Sequence, residues 1–457
     1  MSRILIVGGG YIGMYTARHL ERRLPRDEHQ VVLVSPENHM TYQPFLPEVA
    51  SGLIDPRAVV VPLRRVLRRT RLLLGEVQRI DPTARVAHVR LADGRPHDEP
   101  FDVAVIGTGS WSRTLPVPGL AEHAVGFKTL PEAIWLRNRV LEQLDVADGA
   151  ADDDERRAAL GFVFVGAGFA GIEAIGELED FARAALKTYR RPMADEMRWV
   201  MVEASDRILP ELDAGLAGYA ADRLRERGIE VRTQTRLASI EDRVVHLSDG
   251  TIVVADTVVW TAGVRPSPLP AQSDLPVDDH GRLLVDRTMR VAGVEGIWAA
   301  GDVAAVPDPD DPSGISPPTA QHALRQARQI AANVAAVLED REPRPFRYRN
   351  KGMLCSLGNY RGVADPLGIR IRGFPAWFLH RSYHLIYMPT LARKVRIALD
   401  WTVALLFPRD IAQLGSVEHP RDAFRRSAEA EEVARGGSET TDRPSRTVTS
   451  KAKRRKL

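Results

Sequence analysis

The chain has 457 residues, 44% of them hydrophobic, and its 63 basic and 60 acidic side chains leave a formal net charge of +3. That length and apolar content suffice for two or three domains with sizeable cores, and the near balance of charge gives the body of the protein no reason to bind nucleic acid. One cysteine, Cys355, excludes a disulfide framework and a redox-active cysteine pair, and no apolar run reaches the roughly 18 to 20 residues that span a bilayer.

The first predicted element is a strand, Ile4-Leu5-Ile6-Val7, which runs into Gly8-Gly9-Gly10-Tyr11-Ile12-Gly13 and then a helical pattern. In that setting each glycine has a physical task. Gly8 makes the tight turn, Gly10 lets the backbone approach a pyrophosphate, and Gly13 lets helix and strand pack closely, with the helix N-terminus facing the phosphates. The strand starts at Arg3, which leaves no room for a signal or transit segment and points to the cytoplasm. Further along, Asp102 opens an apolar strand that exits through Thr108 and Gly109. The acidic stretch Asp148 to Arg157 then marks a domain crossover.

A second strand, Phe162-Val163-Phe164-Val165, opens a second fingerprint with Gly166, Gly168 and Gly171 in the corresponding places. Its next strand, Trp199 to Val202, ends at Glu203. A carboxylate there bonds both ribose hydroxyls and repels a 2′-phosphate, which favours NADH over NADPH, although Arg207 nearby keeps NADPH open. The segment Asp256 to Gly263 repeats the pattern of Asp102 to Gly109 at nearly the offset that separates the two fingerprints, so the chain reads as an internal duplication. The short strand in Gly296 to Asp302 ends in a carboxylate suited to a ribityl hydroxyl, which closes the first domain and makes the second an insertion.

These features resemble the two-dinucleotide-binding flavoprotein disulfide reductase superfamily, which implies FAD on the outer domain, with Gly8, Gly10, Gly13 and Asp302, and NAD(P)H on the inserted one. With a single cysteine, electrons must leave the flavin by another route than a thiol relay, and Cys355 reads as a small buried apolar residue. The proline-led helix start at Ser316 to Ala327, with Ala320-Gln321, is similar to that of type II NADH:quinone oxidoreductases. The likeness implies that this helix start faces the flavin and that Ala320 and Gln321 flank the quinone, Gln321 bonding either a quinone carbonyl or the flavin alone. Two other stretches agree: Thr41 to Gly52, which places Gln43 against the flavin, and Tyr348 to Leu414. Glu173, two residues past Gly171, is implied near the nicotinamide in a positioning role, the alternative being an ordinary helix-surface glutamate. Two departures stand out. Position 325 is arginine where the family often carries a second glutamine, and the second strand ends in Ser35 rather than an acid, leaving Ser35 or Glu37 to meet the adenosine ribose.

The C-terminal region has a different character. Trp377 to Met388 is rich in aromatics, and after Pro389 a helical pattern puts Leu391, Val395, Leu399, Thr402 and Leu406 on one stripe with Arg393, Lys394 and Arg396 around it. Such a helix suits the plane of a membrane surface. The other use is packing against the protein body or a homodimer mate. Beyond it, 419–457 reads as a disordered tail ending in the basic cluster Lys451 to Leu457, which meets anionic lipid or stays solvated. The loop Pro307 to Ser313 fits no calcium pattern, and no metal is expected.

The expectation is an α/β protein of two Rossmann-like dinucleotide-binding domains, the second inserted in the first, plus a C-terminal amphipathic helical region. The expected divisions are 1–130 and 291–345 for FAD, 131–290 for NADH, 346–418 for the membrane and 419–457 for the tail, with Gly109 and Gly263 at the two domain exits. The activity implied is transfer of hydride from NADH to FAD and of electrons to a quinone without proton pumping, at the cytoplasmic face of the cell membrane. Two rivals share the fingerprints: a soluble flavoprotein reductase serving a small iron-sulfur protein, and an NADH-sensing flavoprotein.

Overall fold

The computed structural model describes residues 1–26, 28–308 and 314–413. The expectations for the tail 419–457 and for 309–313 of the loop lie outside the described residues.

Six helices matter below: α1 (Tyr11–Arg23), α2 (Leu46–Ala50), α3 (Phe169–Leu186), α4 (Ala320–Leu338), α5 (Phe374–Tyr387) and α6 (Leu391–Leu406). Two sheets share one plan. In the first, Ile297–Ala299, Val103–Ile106, Ser2–Val7, His29–Ser35 and Arg71–Asp81 lie side by side in parallel. Val86–Leu91 and Pro96–Pro100 extend its edge antiparallel. In the second, Ala124–Gly126, Thr257–Trp260, Gly161–Val165, Arg198–Val202 and Ile229–Arg232 repeat the parallel order. Both fingerprint strands are buried throughout their apolar runs, as strands covered on two faces must be, which is why they read as continuous apolar runs rather than alternations.

The sheets divide the chain at somewhat different points from 131 and 290. Ala124–Gly126 already belongs to the second sheet, a strand too short to show periodicity. The turn of helix Leu269–Gln272 already packs on Arg71–Asp81 of the first. The two crossings run together, since Ser110–Ser112 pairs antiparallel with Val264–Pro266.

After α4, which lies along α1, the chain forms a small antiparallel sheet of Leu354–Ser356, Gly362–Ala364 and Ile371–Arg372, on which α5 packs. Cys355 is fully buried in it, and burial pushes its thiol well up, in keeping with a packing role. No helix of the described residues is long and apolar enough to cross a membrane. On α6 only Ile397 is buried, while Leu391, Val395, Leu399 and Leu406 of the expected stripe are exposed, joined by Val403 and Leu405.

Candidate active site

The glycines divide their work as their spacing predicts. Gly8 and Gly166 hold φ of +101° and +105°, a backbone region that penalises any Cβ. A Cβ on Gly13 would sit 1.7 Å from the Gly8 carbonyl oxygen, and one on Gly171 would sit 2.0 Å from that of Gly166. Gly10 and Gly168, by contrast, face open space. The packing glycines are thus spent on the protein, and the middle ones are left clear for a ligand.

The first fingerprint opens on a cavity of about 460 Å³ lined by Gly8, Gly10, Ser35, Glu37, Gln43, Gly109, Asp302 and Ala320. Ser35 is buried and its hydroxyl accepts from the Glu37 amide at 3.3 Å. Asp302 accepts from the Ser110 hydroxyl at 2.5 Å, and Ser110 in turn accepts from Lys128 Nζ at 3.0 Å. Burial lowers the Lys128 ammonium, with Asp302 and Glu132 opposing. The buried Thr108 hydroxyl in the same wall has no hydrogen-bond partner. An orphaned donor, a carboxylate and a cradle that Cβ atoms would fill together fit a dinucleotide such as FAD.

A second cavity of about 320 Å³ adjoins it, sharing Gln43, Lys128, Val264 and Ala320 and adding Glu173, Gly263 and His384. Gln43 is fixed by donating Nε2 to the Lys128 carbonyl at 3.2 Å. Lys128 was not visible to sequence reasoning, because a lone lysine ahead of a helix cap carries no pattern. At the end of the second fingerprint's partner strand, Glu203 accepts from the Ala167 amide at 2.7 Å and from the Ser205 amide and hydroxyl at 2.8 Å. It therefore sits against the glycine turn, while Arg207 is turned away to the Pro210 carbonyl.

Glu173 is buried, not a surface residue of α3. Its Oε1 accepts from the Ser356 amide at 3.1 Å and lies 3.0 Å from His380 Nε2. Burial alone would lower the His380 imidazole, but the Glu173 carboxylate outweighs it and the net shift is upward. His384, whose Nδ1 lies 3.3 Å from the Tyr42 hydroxyl, is held well down by burial and by His380. Behind this pair Glu48 and Glu177 meet Arg381, and Trp401 Nε1 donates to Glu48 at 2.8 Å. Burial raises the Glu48 carboxyl, with Arg381 opposing. Sequence reasoning missed this buried cluster. The signal was the run Glu173, Glu177, Asp180, whose helical spacing puts all three on one face of α3.

Gln321 is not brought to either cavity. Its side chain donates to the Gly352 carbonyl at 3.1 Å and accepts from the Tyr348 hydroxyl at 2.9 Å, tying α4 to the C-terminal segment, while Ala320 lines both cavities.

Residues 2–327 match the family described as pyridine nucleotide-disulphide oxidoreductase. Among curated proteins, the chain is 30% identical over 422 residues to the type II NADH:quinone oxidoreductase Ndh of Mycobacterium tuberculosis, covering 89% of each chain. It is 29% identical to a probable NADH dehydrogenase of Dictyostelium discoideum, covering 90% of this chain and 91% of that one. Among solved structures, NDH2 from Plasmodium falciparum in complex with NADH superposes with a TM-score of 0.84 at 17% identity, over 90% of this chain and 99% of that one.

Proposed function

The chain belongs to the type II NADH:quinone oxidoreductases, within the pyridine nucleotide-disulphide oxidoreductase family, and from that premise we propose how its own residues carry the reaction. It transfers a hydride from NADH to FAD and two electrons on to a quinone, without proton pumping. The observation that carries the assignment of residues is the pair of glycine turns flanking two cavities that share a wall.

Gly8, Gly10, Gly13, Ser35, Gly109 and Asp302 hold FAD, which when bound supplies the ring that accepts hydride and releases electrons. Gly166, Gly168 and Gly171 seat the NADH pyrophosphate at the N-terminus of α3, and Glu203 selects the unphosphorylated ribose. Gly263 and Glu173 border the nicotinamide, Glu173 fixing the shape of the second cavity through Ser356 and His380. The task of these residues would be to position the nicotinamide and exclude water more than to act as a base, because hydride transfer to a flavin needs no proton acceptor. Gln43 and Ala320 stand between the two cavities, where an acceptor would meet the flavin. Gln321 acts by anchoring the segment that walls this region.

The exposed apolar stripe of α6 and the outer aromatics Phe374 and Phe378 of α5, flanked by Arg393, Lys394 and Arg396, lie on the cytoplasmic membrane surface. Pairing of two copies through the same stripe is the competing use of this face.

The test is anaerobic stopped-flow: reduction of the flavin by NADH, then mixing with a short-chain quinone. Rapid bleaching and rapid recovery of the flavin absorbance are expected. Recovery only with a protein acceptor would overturn the quinone assignment.

A further inference from the structure

In the inserted domain, Arg156, Arg183, Arg198 and Arg227 are each paired with a carboxylate. One group on the first domain departs from that habit. Arg18, Arg22 and Arg23 of α1 gather beside Arg328 of α4, and among the described residues none of the four has a carboxylate within ion-pair distance. Arg22, Arg23 and Arg328 are exposed, Arg18 is half-buried, and Arg23 Nη1 donates to the His19 carbonyl at 3.4 Å. Their nearness shows on His19, which burial first and then Arg23, Arg22, Arg328 and Arg18 hold down to about 4. It shows again on Arg23, which burial lowers and Arg328 and Arg22 lower further. The whole chain carries only +3, so this is a local concentration of like charge, an arrangement that an anion would complete.

The surroundings say which anion. Tyr15 lies one turn before Arg18 on the same face of α1, and Arg22 lies one turn beyond. Burial pushes the Tyr15 phenol up to about 12, with the Arg18 charge acting the other way. The Tyr11 phenol, raised chiefly by burial, feels both Tyr15 and Tyr383, so the phenols of α1 and α5 form one belt. On α4 the succession is the same. Arg325 stands 4.4 Å from the centre of the Tyr348 ring and 5.7 Å from that of Tyr387, and Arg328 follows one turn on. Beside Tyr383 and Tyr387, whose ring centres are 4.6 Å apart, Ile386 and Leu391 are strongly exposed and begin the apolar face of α6. The surface thus passes from apolar face to tyrosine belt to arginines, the order in which a bilayer passes from hydrocarbon to phosphate.

We propose that Arg18, Arg22, Arg23 and Arg328 form a docking site of the first domain for the headgroup phosphates of anionic membrane lipids, distinct from the apolar contact of α6. This rests on the membrane reading of α6 given above. The planar guanidinium offers two parallel N–H groups to phosphate oxygens and keeps its charge at every working pH. The apolar stripe is indifferent to lipid charge and salt, whereas the arginines respond to both. With α6 alone the body could roll about that helix; a second contact on α1 and α4 fixes which face meets the lipid.

The experiment measures partition of the FAD-loaded full chain onto vesicles of phosphatidylcholine alone and of phosphatidylcholine mixed with phosphatidylglycerol, at low and at high salt. An arginine near an anionic surface contributes about fivefold to partition. Arg18→Gln, Arg22→Gln and Arg328→Gln together should therefore weaken binding to the mixed vesicles on the order of 100-fold at low salt, and little at high salt, where screening has already removed this part from wild type. Binding to phosphatidylcholine alone should not change. Lysine at the same three positions keeps the charge and should retain most of the binding. Flavin reduction by NADH, and turnover of a water-soluble quinone without vesicles, should match wild type in both triple variants. Equal partition of the glutamine variant and wild type onto the mixed vesicles would overturn the proposal and leave the arginines a solvated patch. An equal loss on both kinds of vesicle would overturn it as a disturbance of the apolar contact. Inorganic phosphate that raises the unfolding temperature of wild type but not of the glutamine variant, while both bind vesicles alike, would give the patch to a free anion and overturn lipid docking. A wild type that binds neither kind of vesicle sinks the membrane reading itself; one that binds both kinds equally leaves that reading standing and overturns only the docking site.

Discussion

Alanine at two glycines of the second fingerprint should separate packing from ligand approach. At Gly171 the new methyl would lie 2.0 Å from the Gly166 carbonyl oxygen and 2.7 Å from Thr261 Oγ1. Relief to an ordinary contact of roughly 3.2 Å requires α3 to move by about 1.2 Å against a fully packed strand, an overpacking that typically costs about 1–3 kcal/mol. At about 2–4 °C per kcal/mol for a large domain, Gly171→Ala should unfold several degrees early even without NADH. At Gly168 the φ of −74° suits alanine and the methyl meets nothing within 4 Å, so stability should change by no more than about 0.5 kcal/mol. The methyl instead occupies the line of approach of the pyrophosphate and should break charge-assisted amide bonds worth about 1.5–3 kcal/mol each. That weakens NADH about 10- to 100-fold. Thermal unfolding without NADH and the NADH dependence of flavin reduction read the two effects separately. A Gly168→Ala enzyme with wild-type NADH dependence would refute the placement of the pyrophosphate on this turn, and an unshifted midpoint in Gly171→Ala would refute the packing argument.

Other expectations are as direct. Glu203→Gln keeps the length of the side chain but removes the charge that repels a 2′-phosphate, so the ratio of kcat/KM for NADH over NADPH should drop about tenfold; an unchanged ratio would place the discrimination elsewhere. The double change Leu399→Glu and Val403→Glu puts charge on the exposed face of α6. It should abolish co-flotation with phosphatidylglycerol-containing liposomes while leaving turnover of a water-soluble quinone intact, and retained flotation would remove α6 from the membrane contact. His19 is held down to about 4 by burial and by Arg23, Arg22, Arg328 and Arg18. Its folded value lies below the ordinary one, so the unfolded chain takes the proton first and stability is lost as pH falls from about 6.5 towards 4. His19→Gln should flatten that slope by an amount on the order of 1 kcal/mol after discounting for its partial exposure, measured as urea midpoints across the window.

The duplication was legible because it is written in local signals. Each Gly-x-Gly-x-x-Gly lies within a strand-turn-helix unit, and the apolar runs Ile4 to Val7 and Phe162 to Val165 carry the parallel sheet in their composition. Ala124–Gly126 was not legible, since a three-residue edge strand is defined by its partner Thr257–Trp260 and not by its own residues. The stripe on α6 is legible residue by residue because it lies on the exposed face of the helix, opposite Ile397 and Trp401 that pack on the body, and so keeps its amphipathic pattern clean. Gln321 shows the opposite case: sequence placed it at the helix start beside Ala320, but which way its amide turns depends on Tyr348 and Gly352, some 30 residues on. The buried set Glu48, Glu177 and Arg381 was hidden for the same reason, its members coming from three separate helices.

The two-stranded ribbon of Ser110–Ser112 and Val264–Pro266 makes the ends of the inserted domain neighbours. The Ser267 amide donates to the Gly109 carbonyl at 3.0 Å, fastening the two junctions just outside that ribbon. A segment that leaves and returns through one doorway can be exchanged without cutting a strand of the first sheet, provided the replacement keeps the α3 carboxylates Glu173 and Glu177 that meet Ser356, His380 and Arg381. The fold therefore offers a natural cassette boundary: a nucleotide module of different selectivity, grafted between 113 and 263, would leave the register of the flavin sheet untouched. The same doorway gives protein engineers a place to cut.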